Sequence, residues 1–104
     1  MTALTTAVEN FLSYTGVEKG LAANTVASYR YDLELFVRYQ KQQGKTELEQ
    51  ITKDDVTAYL ASRHEAGCSP ATLAHNITCL KSFYRFLTLE HLVAQDLFCL
   101  LYTS

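Results

Sequence analysis

The sequence predicts an all-α fold, a compact bundle of four helices. Three observations carry that prediction. The 104 residues include only four glycines and one proline, so breakers are scarce and turns must be few. Apolar residues recur at intervals of three and four rather than two, the spacing of a helix face. Capping residues and glycine stops fall between those periodic stretches. At 48% apolar and 19% charged, the composition is that of an ordinary single globular domain with enough apolar content to build a core.

The first helix is expected from about Thr5 to Tyr14, with Leu4, Val8, Phe11 and Leu12 along one face. Gly16 and Gly20 then bracket a short connector. The second helix has Asn24 as its expected N-cap, and Val26, Tyr29, Leu33, Phe36, Val37 and Gln40 turn inward. On another face Arg30, Glu34 and Arg38 sit four apart, where they can pair along the helix. Gly44 ends it.

Thr52 opens the third helix, and Asp55 three residues later makes a near capping box. Asp54 and Asp55 also suit the positive end of the helix dipole. Val56, Tyr59, Leu60 and Arg63 trace the inner face, and Gly67 stops the helix. The fourth helix has the clearest start: Ser69 as N-cap, with Pro70 in the first turn where its missing N–H costs nothing. Leu73, Ile77, Leu80, Tyr84 and Leu87 form its buried stripe, widened by Phe83 and Phe86. The opposite face reads Ala71, Thr72, His75, Thr78, Cys79 and Ser82, flanked by Lys81 and Arg85. A face that meets only water usually carries Glu and Lys. Small polar residues without acids suit a face that another surface approaches closely.

Charge and motifs narrow the function. The net charge is −2 and the pI about 5.8, which alone argues mildly against nucleic-acid binding. The distribution argues the other way. Residues 21–45 carry four cations against two acids, residues 46–70 two cations against five acids, and residues 71–89 Lys81 and Arg85 with no acid. A face built from the second and fourth helices is therefore locally basic on an acidic molecule. The longest apolar run, residues 97–102, is far too short to span a bilayer. The first 20 residues lack the basic start of a secretory signal. Cys68, Cys79 and Cys99 form no CxxC pair and read as reduced thiols of a cytoplasmic protein. Neither their spacing nor that of His64, His75 and His91 supports a zinc site.

There is no P-loop and no GxGxxG. Asp54-Asp55 reads as capping rather than as a metal pair. His75 has no acid nearby in sequence to orient it as a base. Tyr29, Tyr59 and Tyr84 belong to apolar stripes and are expected in the core, whereas Tyr31 lies off the stripe. No catalytic residue, metal, cofactor or small-molecule substrate is expected.

Four pieces in order carry a resemblance. They are Asn24-Thr25-x3-Tyr29-x2-Asp32-Leu33-x2-Phe36, Ile51-Thr52-x2-Asp55-Val56-x2-Tyr59-Leu60, Gly67-x-Ser69-Pro70-x-Thr72-Leu73, and Leu80-Lys81-Ser82-Phe83-Tyr84-Arg85-Phe86-Leu87. Together they resemble the N-terminal, core-binding (SAM-like) domain of tyrosine recombinases, of the Xer and phage-integrase type, over roughly residues 4–96. The resemblance implies a half-clamp on double-stranded DNA whose second and fourth helices face the major groove. It also implies partner recombinase subunits and a separate C-terminal domain holding the catalytic arginines, histidine and nucleophilic tyrosine. None of the tyrosines here is expected to be that nucleophile. Residues 1–96 form the expected DNA-binding domain. Residues 97–104, where the family has a polar linker, form an apolar tail. It is either a truncation artefact or a true tail packed on the bundle or a partner, and the fold is expected not to need it.

Eight residues are the expected DNA contacts. Asn24, Thr25, Ser28 and Tyr31 lie near the start of the second helix, where free N–H groups favour a phosphate. On the fourth helix Thr72 and His75 face away from the core, His75 able to donate to a base edge or a phosphate. Lys81 and Arg85 are suited to phosphate contacts, which position without specifying sequence. The rival readings are a helical protein–protein interaction module without DNA binding, and a bundle that only supports a neighbouring domain.

Overall fold

Four α-helices occupy most of residues 2–93, the part of the chain that the computed structural model describes: α1 (Leu4–Ser13), α2 (Ala23–Gln42), α3 (Lys53–Glu65) and α4 (Pro70–Leu89). The all-α prediction holds. The expected boundary at residue 96 and the tail 97–104 lie outside the described residues.

The helices enclose one core. From α1 come Leu4, Ala7, Val8, Phe11 and Leu12, from α2 Leu33, Phe36 and Val37, and from α3 Val56 and Tyr59. From α4 come Cys79, Leu80, Phe83, Tyr84, Phe86 and Leu87. Phe11 is the hub. Its ring lies 5.5 Å from Phe83, 5.6 Å from Phe86 and 5.9 Å from Tyr29, so it joins α1 to both α2 and α4. A short 3₁₀ turn, Leu48–Gln50, adds Leu48 to the core and holds the N-terminal segment beside it. There Leu4 N–H donates to Thr46 O at 2.8 Å and Leu48 N–H to Thr2 O at 3.0 Å.

The caps of α3 and α4 form as the sequence predicts. Ser69 Oγ accepts from Thr72 N–H at 3.2 Å, with Pro70 in the first turn. At α3, Thr52 Oγ1 accepts from Asp55 N–H at 3.3 Å and the Asp55 carboxylate accepts from Thr52 N–H at 2.8 Å. Lys45 Nζ adds an ion pair to the same carboxylate at 2.7 Å, bracing the α2–α3 connection. Burial pushes the Asp55 carboxyl up, but the hydrogen bonds from Lys45 and Thr52 outweigh it and hold the group below its ordinary value. The folded state therefore binds the Asp55 proton less readily than the unfolded chain. Its stabilisation is full above the ordinary carboxylate range and is lost as pH falls through the folded value. Thr52→Ala is expected to cost about 1 kcal/mol in urea unfolding at neutral pH. That deficit should shrink on acidification, and an unchanged deficit at acid pH would refute the assignment.

Several local expectations are corrected. The Gly16–Gly20 connector is instead a continuation of α1 as one π turn, Tyr14–Glu18. Thr15 is buried there, its hydroxyl donating to Leu12 O at 2.9 Å, and the chain breaks only at Gly20 with φ +64°. Asn24 does not cap α2. That helix starts at Ala23 behind Ala22, with no capping side chain and no acid in its first turn. Arg30 forms its ion pair across to α1, donating to both carboxylate oxygens of Glu9 at 2.8 and 3.2 Å, rather than along its own helix. On α4, Cys79 faces the core, not the small polar face. Its Sγ comes within 3.8 Å of Tyr29 O, so its small size serves the close approach of α4 to α2. Asn76 is likewise buried, its Oδ1 accepting from Arg63 Nε at 3.2 Å, whereas Leu73 and Ile77 are only half-buried.

Candidate nucleic-acid interface

The approach of α4 to α2 that Cys79 permits opens outward into a shallow groove. It is lined by Ala27, Ser28, Tyr31 and Asp32 of α2 and by Ala71, Thr72 and His75 of α4. Small residues on both walls keep it open, and neither helix has an acid in its first turn. The groove gathers four of the eight expected contacts, Ser28, Tyr31, Thr72 and His75. Tyr31 is 62% exposed, an aromatic edge beside a lining of alanines and small polar residues.

Asp32 is the acid in this groove, and it is buried. Its carboxylate takes His75 Nδ1 at 2.5 Å, the two residues being 43 apart in sequence. The expectation that His75 lacks an orienting acid is therefore overturned: the acid comes from the neighbouring helix. An ionised carboxylate can only accept, so in this pairing Nδ1 carries the hydrogen and Nε2 takes no part in it. The imidazole is half exposed and its ring centre lies 6.2 Å from that of Tyr29.

Tyr29 also lines a second cavity of about 210 Å³ with Tyr14, Lys19, Leu21, Ser82 and Arg85. Arg85 therefore lies outside the groove, further along α4, and shares its cavity with Lys19, which follows the π turn. Lys81 is exposed one turn before Arg85. Asn24 and Thr25 occupy the uncapped first turn of α2, Asn24 exposed and Thr25 half-buried, and neither lines the groove. Among the described residues neither Lys81 nor Arg85 is in an ion pair, whereas Arg30 and Lys45 are committed to Glu9 and Asp55. Among the same residues Arg38 and Lys41 of α2 are likewise outside any ion pair, but they line a separate cavity with Thr5 and Val8 of α1. The unpaired cations on the α4 side are thus Lys81 and Arg85. Sequence reasoning missed Asp32 as a partner of His75, and Lys19 as a neighbour of Arg85.

Among the described residues no three His, Cys, Asp or Glu side chains are grouped to hold a metal ion. Nor is any helix among them long and apolar enough to cross a membrane.

Residues 8–91 match the family described as phage integrase, N-terminal SAM-like domain. The chain is 33% identical over 91 residues to the tyrosine recombinase XerD of Oceanobacillus iheyensis, covering 86% of this chain and 31% of that protein. To the tyrosine recombinase XerC of Bacillus pumilus it is 34% identical over 93 residues, covering 89% and 30%. The XerC of Roseiflexus castenholzii is 37% identical over 89 residues, covering 86% and 28%. The chain thus spans about three tenths of the length of these curated relatives. Its fold is similar to the crystal structure of the N-terminal domain of a phage integrase/site-specific recombinase from Haloarcula marismortui. That match has a TM-score of 0.80 at 23% identity and covers 86% of this chain and 85% of that one. The four helices, their order and the aligned length agree in one conclusion: this chain belongs to the family of phage integrase N-terminal SAM-like domains.

Proposed function

We propose that this domain binds double-stranded DNA through the face shared by α2 and α4, as the DNA-gripping N-terminal part of a cytoplasmic site-specific tyrosine recombinase. The observation that carries this reading is the pairing of the groove with the acid-free outer side of α4, where Lys81 and Arg85 stand without ion-pair partners among the described residues. Ser28 and the free N–H groups at Asn24 and Thr25 suit a phosphate. Tyr31, Thr72 and His75 present an aromatic edge and hydrogen-bonding groups at groove height. Phosphate contacts from Lys81 and Arg85 fix position, and the groove residues supply whatever base reading there is. Other recombinase subunits are the expected protein partners.

Fluorescence anisotropy with a labelled duplex at low salt tests this. Lys81→Ala and Arg85→Ala should each weaken binding on every sequence, while Lys53→Ala at the start of α3 should do little. Equal losses from all three would mean that charge acts diffusely and the face is wrong. The strand-cleaving residues are proposed to lie outside these residues. Incubation with supercoiled DNA should then yield no covalent protein–DNA adduct, and an adduct on any tyrosine of this chain would overturn that view.

The second reading, a protein-interaction module, draws on Val17 and Leu89, which are 82% and 59% exposed near the C-terminal end of α4. Absence of duplex binding even at low salt would favour it.

A further inference from the structure

The geometry points to Asp32 as a positioning residue that makes duplex binding proton-linked: by claiming the Nδ1 hydrogen of His75, it leaves Nε2 able to donate to DNA only when the ring takes up a second proton. This inference rests on the DNA-binding reading above. A neutral imidazole has one N–H, and an imidazolium has two. With Nδ1–H committed to the buried Asp32 carboxylate at 2.5 Å, a neutral His75 presents a lone pair to the groove. A phosphate oxygen arriving there meets that lone pair, with a second anion behind it. The protonated ring instead donates on both sides, to Asp32 and to the phosphate, and places one positive charge between two negative ones.

The titratable and charged groups that face the pair come from three helices. From α2 come Asp32 itself, Tyr29 and Tyr31. From α4 comes the buried Cys79 thiol, which burial first and Asp32 second push far up, so it stays neutral. From α3 comes Tyr59, pushed up chiefly by burial, Arg63 opposing and Asp32 adding. Arg63 is fixed in charge and hydrogen-bonded to Asn76 next to His75. Among these side chains histidine alone changes charge near neutral pH in its ordinary state.

The test uses the whole chain and a short labelled duplex, with affinity measured by anisotropy from about pH 6 to about pH 9 at constant ionic strength. Wild-type affinity should fall as pH rises, by up to about tenfold per pH unit, the limit for uptake of one proton. His75→Arg carries a permanent charge and a donor, so it should bind tightly with that slope removed. His75→Gln should bind weakly and also without it, any residual slope reporting His64 and His91. Asp32→Asn is the decisive variant. Its amide can donate to Nδ1, which frees the one hydrogen of the neutral ring for Nε2. Asp32→Asn should therefore retain binding at high pH and lose most of the slope. A merely structural role for Asp32 would weaken binding at all pH values and leave the slope intact. Nitrogen NMR of the free protein supplies an arm independent of DNA. His75 at high pH should hold its hydrogen on Nδ1 in the wild type and on Nε2 in Asp32→Asn.

An Nε2–H tautomer in the wild type overturns the inference and leaves the DNA reading standing. So does salt-sensitive binding, dependent on Lys81 and Arg85, that lacks the pH slope or keeps it in Asp32→Asn. Absence of duplex binding by the wild type at every pH overturns both. Should Asp32→Asn fail to fold, the wild-type tautomer decides the role of Asp32, a hydrogen on Nδ1 supporting it and one on Nε2 overturning it. The contrast of His75→Arg with His75→Gln, both at a half-exposed side chain, then decides the proton linkage.

Discussion

Phe11→Ala is expected to cost about 3–5 kcal/mol, the range for removing a buried aromatic ring without full collapse of the space it leaves. Phe11 is 1% exposed, and its ring meets Tyr29 of α2 and both Phe83 and Phe86 of α4. No single neighbour can fill the gap, because those rings arrive from two different helices. A domain of this size is stable by only about 5–15 kcal/mol in total, so the variant should sit near the edge of folding. Urea unfolding monitored by circular dichroism reads the loss directly. Tyr31→Ala, on the exposed groove edge, should stay within about 0.5 kcal/mol of wild type as a matched aromatic control. A Phe11→Ala loss below about 1 kcal/mol would mean that the helices close over the site, against the hub described above.

Salt should weaken duplex binding by roughly 40- to 150-fold between about 50 and about 200 mM, if three or four phosphates are neutralised. The count follows from the surface. Lys81 and Arg85 stand without ion pairs, Lys19 shares the Arg85 cavity, and His75 and the first turn of α2 add a further donor set. Each phosphate contributes about −0.9 to the slope of log affinity against log salt, so the full slope is about −3 to −4. Lys81→Ala and Arg85→Ala should each reduce its magnitude by about 1. Arg30→Ala is a sharper control than its position on α2 suggests, because its guanidinium is held by Glu9 on the α1 side. It should leave the slope almost unchanged. A slope near zero would remove phosphate contact from the account altogether.

The parts of this architecture legible in the sequence are those written locally. The Thr52 and Ser69 caps, the stops near Gly44 and Gly67, and the stripes of α1 and α2 are set by residues within a turn or two of one another, and each is found where the spacing puts it. What the sequence concealed is written across helices. Asp32 and His75, or Glu9 and Arg30, become neighbours only through packing, and nothing in their local spacing announces it. Cys79 looked like part of an open polar face because small residues serve two purposes, admitting a ligand or admitting another helix. Here the helix is α2. The π turn was hidden for a different reason: Gly16 and Gly20 mark a break, and the chain uses only the second. Of the expected contact residues, the groove unites the last two of α2, Ser28 and Tyr31, with the first two of α4, Thr72 and His75. Arg85 lines a different cavity, and Lys81 and the start of α2 line neither.

The bond between Asp32 and His75 also orders events in time. Its two ends are 43 residues apart, with all of α3 between them. Chains leave the ribosome N-terminus first. A nascent chain that has made α1, α2 and α3 holds one wall of the groove and an unpartnered carboxylate, and nothing that a ligand could grip from both sides. The proposed binding surface is therefore complete only once α4 has emerged and docked on α2.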